Sequence, residues 1–406
     1  VSRRAAAALA AAAAVWGTLA WLLWQTTKVP RSLHLPHLDE HAYFTQAAID
    51  RATSYERVTD LIWIAGVVIE LAVFVLYARW GGRFARESAA GPIGTGMLLG
   101  MLGFALLWLA ELPVTVLDLW WARRHGLSYE GYAGTIFGGW LALGGEFVSL
   151  CFALAVVMGF ARRVGDWWWL PAAPVFALLA LFFAFVSPYL ESTHRLTNPT
   201  LVHAARVLER RDHLPKIPVE VEDIHTSTSL PNSEAMGIGP SRRVVLFDTM
   251  LDGRFSNREV TFVLGHELGH VARNHVLKWV GWYTLFAFPG AFLIARVARR
   301  RGGMRRAQAV PLSLLTLVVL SLLATPIQNE ISRHIESEAD WMALQSTHDP
   351  RGGIELFSEF VPTTLSEPNP PTWDYLLLQD HPTIMQRLAM MVAWKRRYAT
   401  SAAQLP

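Results

Sequence analysis

Ten residues, Val263 to Ala272, read V-L-G-H-E-L-G-H-V-A. On a helix of 3.6 residues per turn, His266 and His270 project from one face and can hold a single metal ion. Glu267 is rotated by about 100° from His266, which lets its carboxylate reach a water on that metal. Zinc suits this donor pattern, and the plain alternative is a pair of satisfied helix histidines. Glu267 is the one charged side chain in the stretch other than the histidines, as a buried active-site helix would require.

Two histidines leave a catalytic zinc one protein ligand short, because such sites use three ligands and a water. The segment I-S-R-H-I-E-S-E-A-D, Ile331 to Asp340, offers Glu336. Asp340 lies one turn further on the same face, where a carboxylate can accept the outer N–H of a ligating histidine and fix its tautomer. Glu338 competes for the ligand role, but its two-residue offset turns it to a different face from Asp340. His275 and His334 read as structural histidines. His34, His37, Asp39, Glu40 and His41 form a second cluster, in a stretch that Pro30 and Pro36 make irregular, and a metal is not expected there. The single cysteine, Cys151, excludes an intrachain disulfide, so ligation falls to His and carboxylates.

Several elements must position these groups. Ser256 and Glu259 form an S-x-x-E capping box ahead of the apolar residues Val260, Phe262, Val263 and Leu264, so the histidines are predicted on a helix that begins there. A second helix is expected over Thr200–Arg211, and short strands at Pro218–Glu222 and Arg243–Phe247. Pro231, Asn232, Gly237, Gly239 and Pro240 interrupt regular structure between the strands. A Pro-rich loop at Glu367–Pro371 leads to a last helix from Pro382, placed as its first residue, to about Tyr398, with Lys395, Arg396 and Arg397 complementing its dipole.

The frame is a membrane protein. Among 406 residues, 52% are hydrophobic and 17% charged, with a mean hydropathy of +0.27. About seven apolar stretches are long enough to span a bilayer, at 5–25, 58–79, 94–117, 134–161, 168–188, 277–297 and 310–327. The first, with its alanine run, is shared between a signal-peptide reading and a retained span, the latter favoured because apolar character continues through Trp21 and Trp24. A leading valine is compatible with an alternative start codon, and the scarcity of lysine beside arginine points to a GC-rich bacterial genome. The predicted organisation is an N-terminal transmembrane region over 1–190, a first catalytic part over 191–275, two further spans over 276–328 and a second catalytic part over 329–406. The net charge of +3 is small and its arginines lie beside spans, so nucleic acid is not an expected partner. Glu70, Glu111, Asp118 and Glu146 fall within or near spans, where ionisable groups face a polar cavity or pair with neighbouring arginines.

The ordered set of segments resembles the integral-membrane zinc metalloproteases of the type I CAAX prenyl protease and HtpX family. The matching residues are Asn232 to Gly239, then Arg242-Arg243-Val244-Val245-Leu246-Phe247-Asp248-Thr249, His266-Glu267-x-x-His270, Glu336-x-x-x-Asp340, and His381-Pro382 with Arg387. The resemblance implies a mainly α, polytopic fold with a gluzincin-like zinc protease domain carrying a small β-sheet. It implies one zinc per chain on His266, His270 and Glu336, Glu267 as general base, Asp340 behind a ligand, and His381 and Arg387 stabilising the transition state. It also implies that Asn232, Ser233, Glu234 and Ala235 offer an edge strand to a peptide or protein substrate; the family usually has alanine where this chain has Ser233. Seven spans favour the prenyl-protease architecture over the smaller HtpX. The expected function is a membrane-embedded metalloendopeptidase, in contact with lipid and in a bacterial cell membrane. The alternative is an inactive metal-binding scaffold or transporter, against which the presence of Glu267 argues. Arginines after the second, fourth and sixth spans place those loops in the cytoplasm and the catalytic parts outside, whereas the resemblance places the catalytic parts toward the cytosol. Sequence alone selects neither that side, nor the oligomeric state, nor the substrate.

Overall fold

The computed structural model describes residues 3–86 and 88–402. Val1, and with it the reading of a start codon, lies outside them, as do residues 403–406 at the end of the second catalytic part. The helices are α1 (Arg3–Trp24), α2 (Gln46–Trp80), α3 (Gly91–Arg124), α4 (Tyr132–Val164), α5 (Trp169–Val186), α6 (Pro199–Arg211), α7 (Asn257–Ala272), α8 (His275–Ala298), α9 (Val310–Thr347), α10 (Pro350–Thr364), α11 (Thr372–Leu377) and α12 (Ile384–Ala402). Strands β1 (Thr193–Arg195), β2 (Val219–Glu222), β3 (Ser233–Met236) and β4 (Arg243–Phe247) form one sheet in the order β1-β2-β4-β3.

Among the described residues, six helices, α2, α3, α4, α5, α8 and α9, are long and apolar enough to cross a membrane, and α1 supplies a shorter apolar helix over Ala10–Trp24 where the first of seven spans was expected. Large apolar side chains such as Phe137, Leu141 and Val148 are exposed at 69%, 76% and 72%. Water would penalise that arrangement, while lipid tails favour it, and helices satisfy their own backbone groups there.

The chain divides into two compact units. One comprises 59–180 and 280–325 and the other comprises residues up to 58, 181–279 and those from 326 onward. Residues up to 58 therefore join the catalytic parts, although the sequence places them with a transmembrane region over 1–190. The cause is specific contact: Trp24 stacks on His334 at 4.1 Å between ring centroids, and Phe44, Ile49 and Ala52 enter the core that also holds Leu201, Leu246, Leu264, Trp341 and Leu388. In the first unit, Phe74, Tyr77, Leu99, Met158 and Val310 form a separate core. There the loops rich in arginine lie together: Arg305 Nε donates to the Ala161 carbonyl at 3.0 Å and Arg299 pairs with Asp166 at 2.9 Å. Glu111 has Glu70 and Glu146 as acidic neighbours.

In the catalytic unit, β2 runs parallel to β4, and β3 pairs antiparallel with β4 in the register Ser233↔Leu246 to Met236↔Arg243. Strand β3 is thus an edge, with Glu234 exposed and Ser233 and Ala235 turned the other way. The last helix starts later than the sequence suggests. Thr383 Oγ1 accepts from the Gln386 N–H and Gln386 Oε1 accepts from the Thr383 N–H, a reciprocal cap that leaves Pro382 one residue before the cap instead of inside the first turn.

Candidate active site

Helix α7 begins at the expected cap: Ser256 Oγ accepts from the Glu259 N–H and the Glu259 carboxylate accepts from the Ser256 N–H. Its residues 262–269 are buried throughout, and it packs on α9 through glycines one turn apart. A Cβ on Gly269 would stand 2.8 Å from the Met342 Cβ, and one on Gly265 would stand 3.0 Å from Thr347 Cγ2. Without side chains at these two positions, α9 comes close enough to bring Glu336 and Asp340 to His266.

His266 Nε2 lies 3.0 Å from His270 Nε2 and 3.1 Å from Glu336 Oε2, and His270 Nε2 lies 3.5 Å from Glu336 Oε1. One ligand atom from each residue falls within 4.8 Å of the other two, the only such metal-competent group of three among the described residues. The loop holding His34, His37 and His41 forms no such group among them. Both outer nitrogens are occupied. His266 Nδ1 is 2.9 Å from Asp340 Oδ1, and His270 Nδ1 is 2.9 Å from His275 Nδ1. The inner nitrogens therefore converge on Glu336, whose Oε2 is buried and makes no hydrogen bond. This donor set fits zinc: two imidazoles, one carboxylate and an unsatisfied buried oxygen facing them. Burial disfavours charge on His266, but the hydrogen bond to Asp340 and the adjacent Glu336 carboxylate outweigh it and push its pKa up to about 10, so an incoming metal displaces a proton.

Glu338 points elsewhere. It is 1% exposed and bound to Arg273, His275 and Lys278, which leaves Glu336 as the carboxylate at the histidines. Asp340 is fully buried and takes both Arg387 Nε at 2.8 Å and Arg387 Nη2 at 2.7 Å, a two-pronged ion pair with the Arg387 guanidinium 4.1 Å from the Phe357 ring centre. Two of the nitrogens expected to face a transition state are thus committed to Asp340.

Glu267 is 4% exposed, and Ser233 Oγ donates to its Oε1 at 2.7 Å. Ser233, read from sequence as a substrate contact, thereby touches the carboxylate expected to act as base. His381 lies at the same cleft with Asn232, its side chain half exposed, its Nε2 3.3 Å from Glu336 Oε2 and its Nδ1 2.8 Å from Asp380. The loop before it is pinned by Arg333, which donates to the Tyr375 and Gln379 carbonyls at 2.7 and 2.6 Å and lies 4.1 Å from the Tyr375 ring centre. Arg333 escaped the sequence reading, and His275 was read there as a structural histidine with no place at the site. The signal for Arg333 was its place one turn before Glu336, and for His275 its position two turns and a half after His266.

A polytopic helical frame holding two helix histidines, a carboxylate one helix away and a further carboxylate beside the first histidine defines a membrane metallopeptidase. Residues 198–395 match the family described as Peptidase family M48. Over 388 residues the chain is 25% identical to a protein of Bacillus subtilis (strain 168) described as an uncharacterized metalloprotease, YhfN, covering 89% of each. It is 27% identical over 237 residues to a protease HtpX homolog of Acidiphilium cryptum (strain JF-5), covering 53% of this chain and 78% of that one. The crystal structure of S. mikatae Ste24p shares the fold, with a TM-score of 0.73 and 19% identity over 93% of this chain and 96% of that one. The protein is a multi-pass membrane zinc metalloprotease.

Proposed function

We propose that the chain holds one zinc ion on His266, His270 and Glu336 and hydrolyses internal peptide bonds of protein or peptide substrates, with Glu267 as general base. The observation that carries this reading is the convergence of those three ligand atoms, one of them on His266, which lines a cleft together with Glu267 and His381. Zinc bound there would polarise the scissile carbonyl and lower the pKa of its water to about 7. Glu267 takes a proton from the attacking water and delivers it to the leaving amine. His381, half exposed at the cleft, donates to the developing oxyanion while Asp380 fixes its ring. Asp340 holds His266 in the ligating tautomer, and Arg387 acts through Asp340 as a positioning residue. An extended substrate backbone pairs with the free edge of β3 near Asn232, Ser233, Glu234 and Ala235, which makes recognition partly independent of side chains. The test is Glu267→Gln on purified protein, with zinc content and model-peptide cleavage measured together. Retained zinc with cleavage reduced roughly 100- to 10,000-fold is expected; cleavage at the wild-type rate would sink the assignment.

A further inference from the structure

We propose that His275 and Glu338 together set the tautomer and orientation of His270, forming a hydrogen-bonded relay that fixes the second histidine ligand as Asp340 fixes the first. The inference rests on the zinc reading of the site and assigns two residues that this reading does not use.

The geometry is a line of three groups. His270 Nδ1 stands 2.9 Å from His275 Nδ1, and His275 Nε2 stands 3.0 Å from Glu338 Oε2. His275 and Glu338 are each 1% exposed, so water does not compete for either. His275 reaches this place because the chain reverses tightly between α7 and α8. Asn274 adopts φ 53°, the left-handed region that asparagine tolerates, and α8 starts at the next residue.

Proton positions along the line follow from what each group can do. Glu338 accepts on both oxygens. Its Oε1 takes Arg273 Nε at 2.7 Å and the Lys28 N–H at 2.9 Å, and its Oε2 takes Lys278 Nζ at 2.7 Å beside His275. With two cations and a peptide N–H around it, the carboxylate is held as an acceptor. His275 Nε2 must then carry the hydrogen, and a neutral His275 ring accepts at Nδ1. The hydrogen between the two rings consequently belongs to His270 Nδ1. That leaves the His270 Nε2 lone pair directed at Glu336 and His266, the state a metal requires. Asp340 does the same for His266 in one step, so each ligating histidine is backed by its own buried carboxylate.

The experiment uses the full chain in detergent. Nitrogen-15 histidine NMR on the wild type, metal-free and zinc-loaded, reads the tautomer directly, and an Nδ1–H form of His270 is expected in both; a predominant Nε2–H form in the metal-free protein overturns the relay. His275→Leu removes both hydrogen bonds, whereas His275→Gln keeps an acceptor and a donor on a similar reach. Competition against a zinc chelator should show the leucine variant binding roughly 10- to 100-fold more weakly, with glutamine recovering most of the loss and activity returning at saturating zinc. Wild-type zinc affinity in a folded leucine variant, or equal losses in both variants, overturns the inference while leaving the function intact. A wild type that binds no zinc overturns the functional reading instead, and the metal-free tautomer then decides the relay alone.

Discussion

Replacing Arg387 by methionine separates an anchor from a transition-state donor. In the wild type Asp340 has no solvent exposure and three charge-assisted contacts, two from Arg387 at 2.8 and 2.7 Å and one with His266 at 2.9 Å. Methionine keeps much of the side-chain volume against Phe357 but leaves an ionised carboxylate buried with a single partner. Removing one member of a buried pair costs about 3–5 kcal/mol. For a domain of this size each kcal/mol moves the melting temperature by about 2–4 °C, so a drop on the order of 10 °C is expected. Asp340 freed from its anchor also releases His266, and zinc affinity should fall roughly 10- to 100-fold. Thermal melts of the metal-free protein and zinc competition measure both quantities on the same preparation. An Arg387→Met protein that melts normally and keeps its zinc, yet turns over slowly at unchanged KM, would refute the anchoring argument and return Arg387 to the reacting carbonyl.

Three further outcomes can be checked. Gly269→Ala places a methyl 2.8 Å from Met342 Cβ, which pushes α9 from α7; zinc retention should fall more than helix propensity alone can explain, and unaltered retention would show that the helices tolerate separation. Ser233→Ala removes the hydroxyl that occupies Glu267 Oε1, a bond worth about 0.5–1.5 kcal/mol, so kcat should rise by roughly 2- to 10-fold with zinc content constant, and a fall in kcat would mean the serine assists. Asp212 closes α6 at its C-terminal, negative end, and burial raises its pKa to about 6, above the unfolded value of about 3.9. The folded state therefore binds that proton more tightly, and stability is lost as pH rises from about 4 through 6. Asp212→Asn should raise the melting temperature by a few degrees at pH 7.5, on the order of 1 kcal/mol after allowance for partial solvent contact, and change little at pH 4.

Helical spacing made the metal centre readable. His266, Glu267 and His270 lie within one turn, and Glu336 and Asp340 within another, so local periodicity alone puts each set on one face. Hydropathy revealed α2, α3, α4, α5, α8 and α9 for the same reason, since a bilayer demands a long apolar run whatever its partners. Strands β2 and β4 are rich in valine and were visible, whereas T-H-R at β1 and S-E-A-M at β3 carry no alternation, so that β3 was expected from the family resemblance alone, and both are strands because β2 and β4 supply their hydrogen-bond partners. Partner choice across long separations was not legible. That Arg387 selects Asp340, that His275 reaches Glu338, and that Trp24 meets His334 are decided by packing of distant segments. Pro382 was misplaced by one local rule overriding another, the Thr383–Gln386 cap setting the helix start.

The order in which the ribosome delivers these residues has a consequence of its own. His266 and Asp340 are 74 positions apart, and Arg387 follows Asp340 by a further 47. Two membrane-crossing segments, α8 and the start of α9, must be translated and inserted between His270 and Glu336. At about 5–20 residues per second, several seconds pass in which the nascent chain displays His266, Glu267 and His270 without the carboxylate that would complete the proposed metal site. A chain that stops short of Glu336 therefore lacks part of the proposed site, so the order of residues along the chain delays its assembly until both segments have been made.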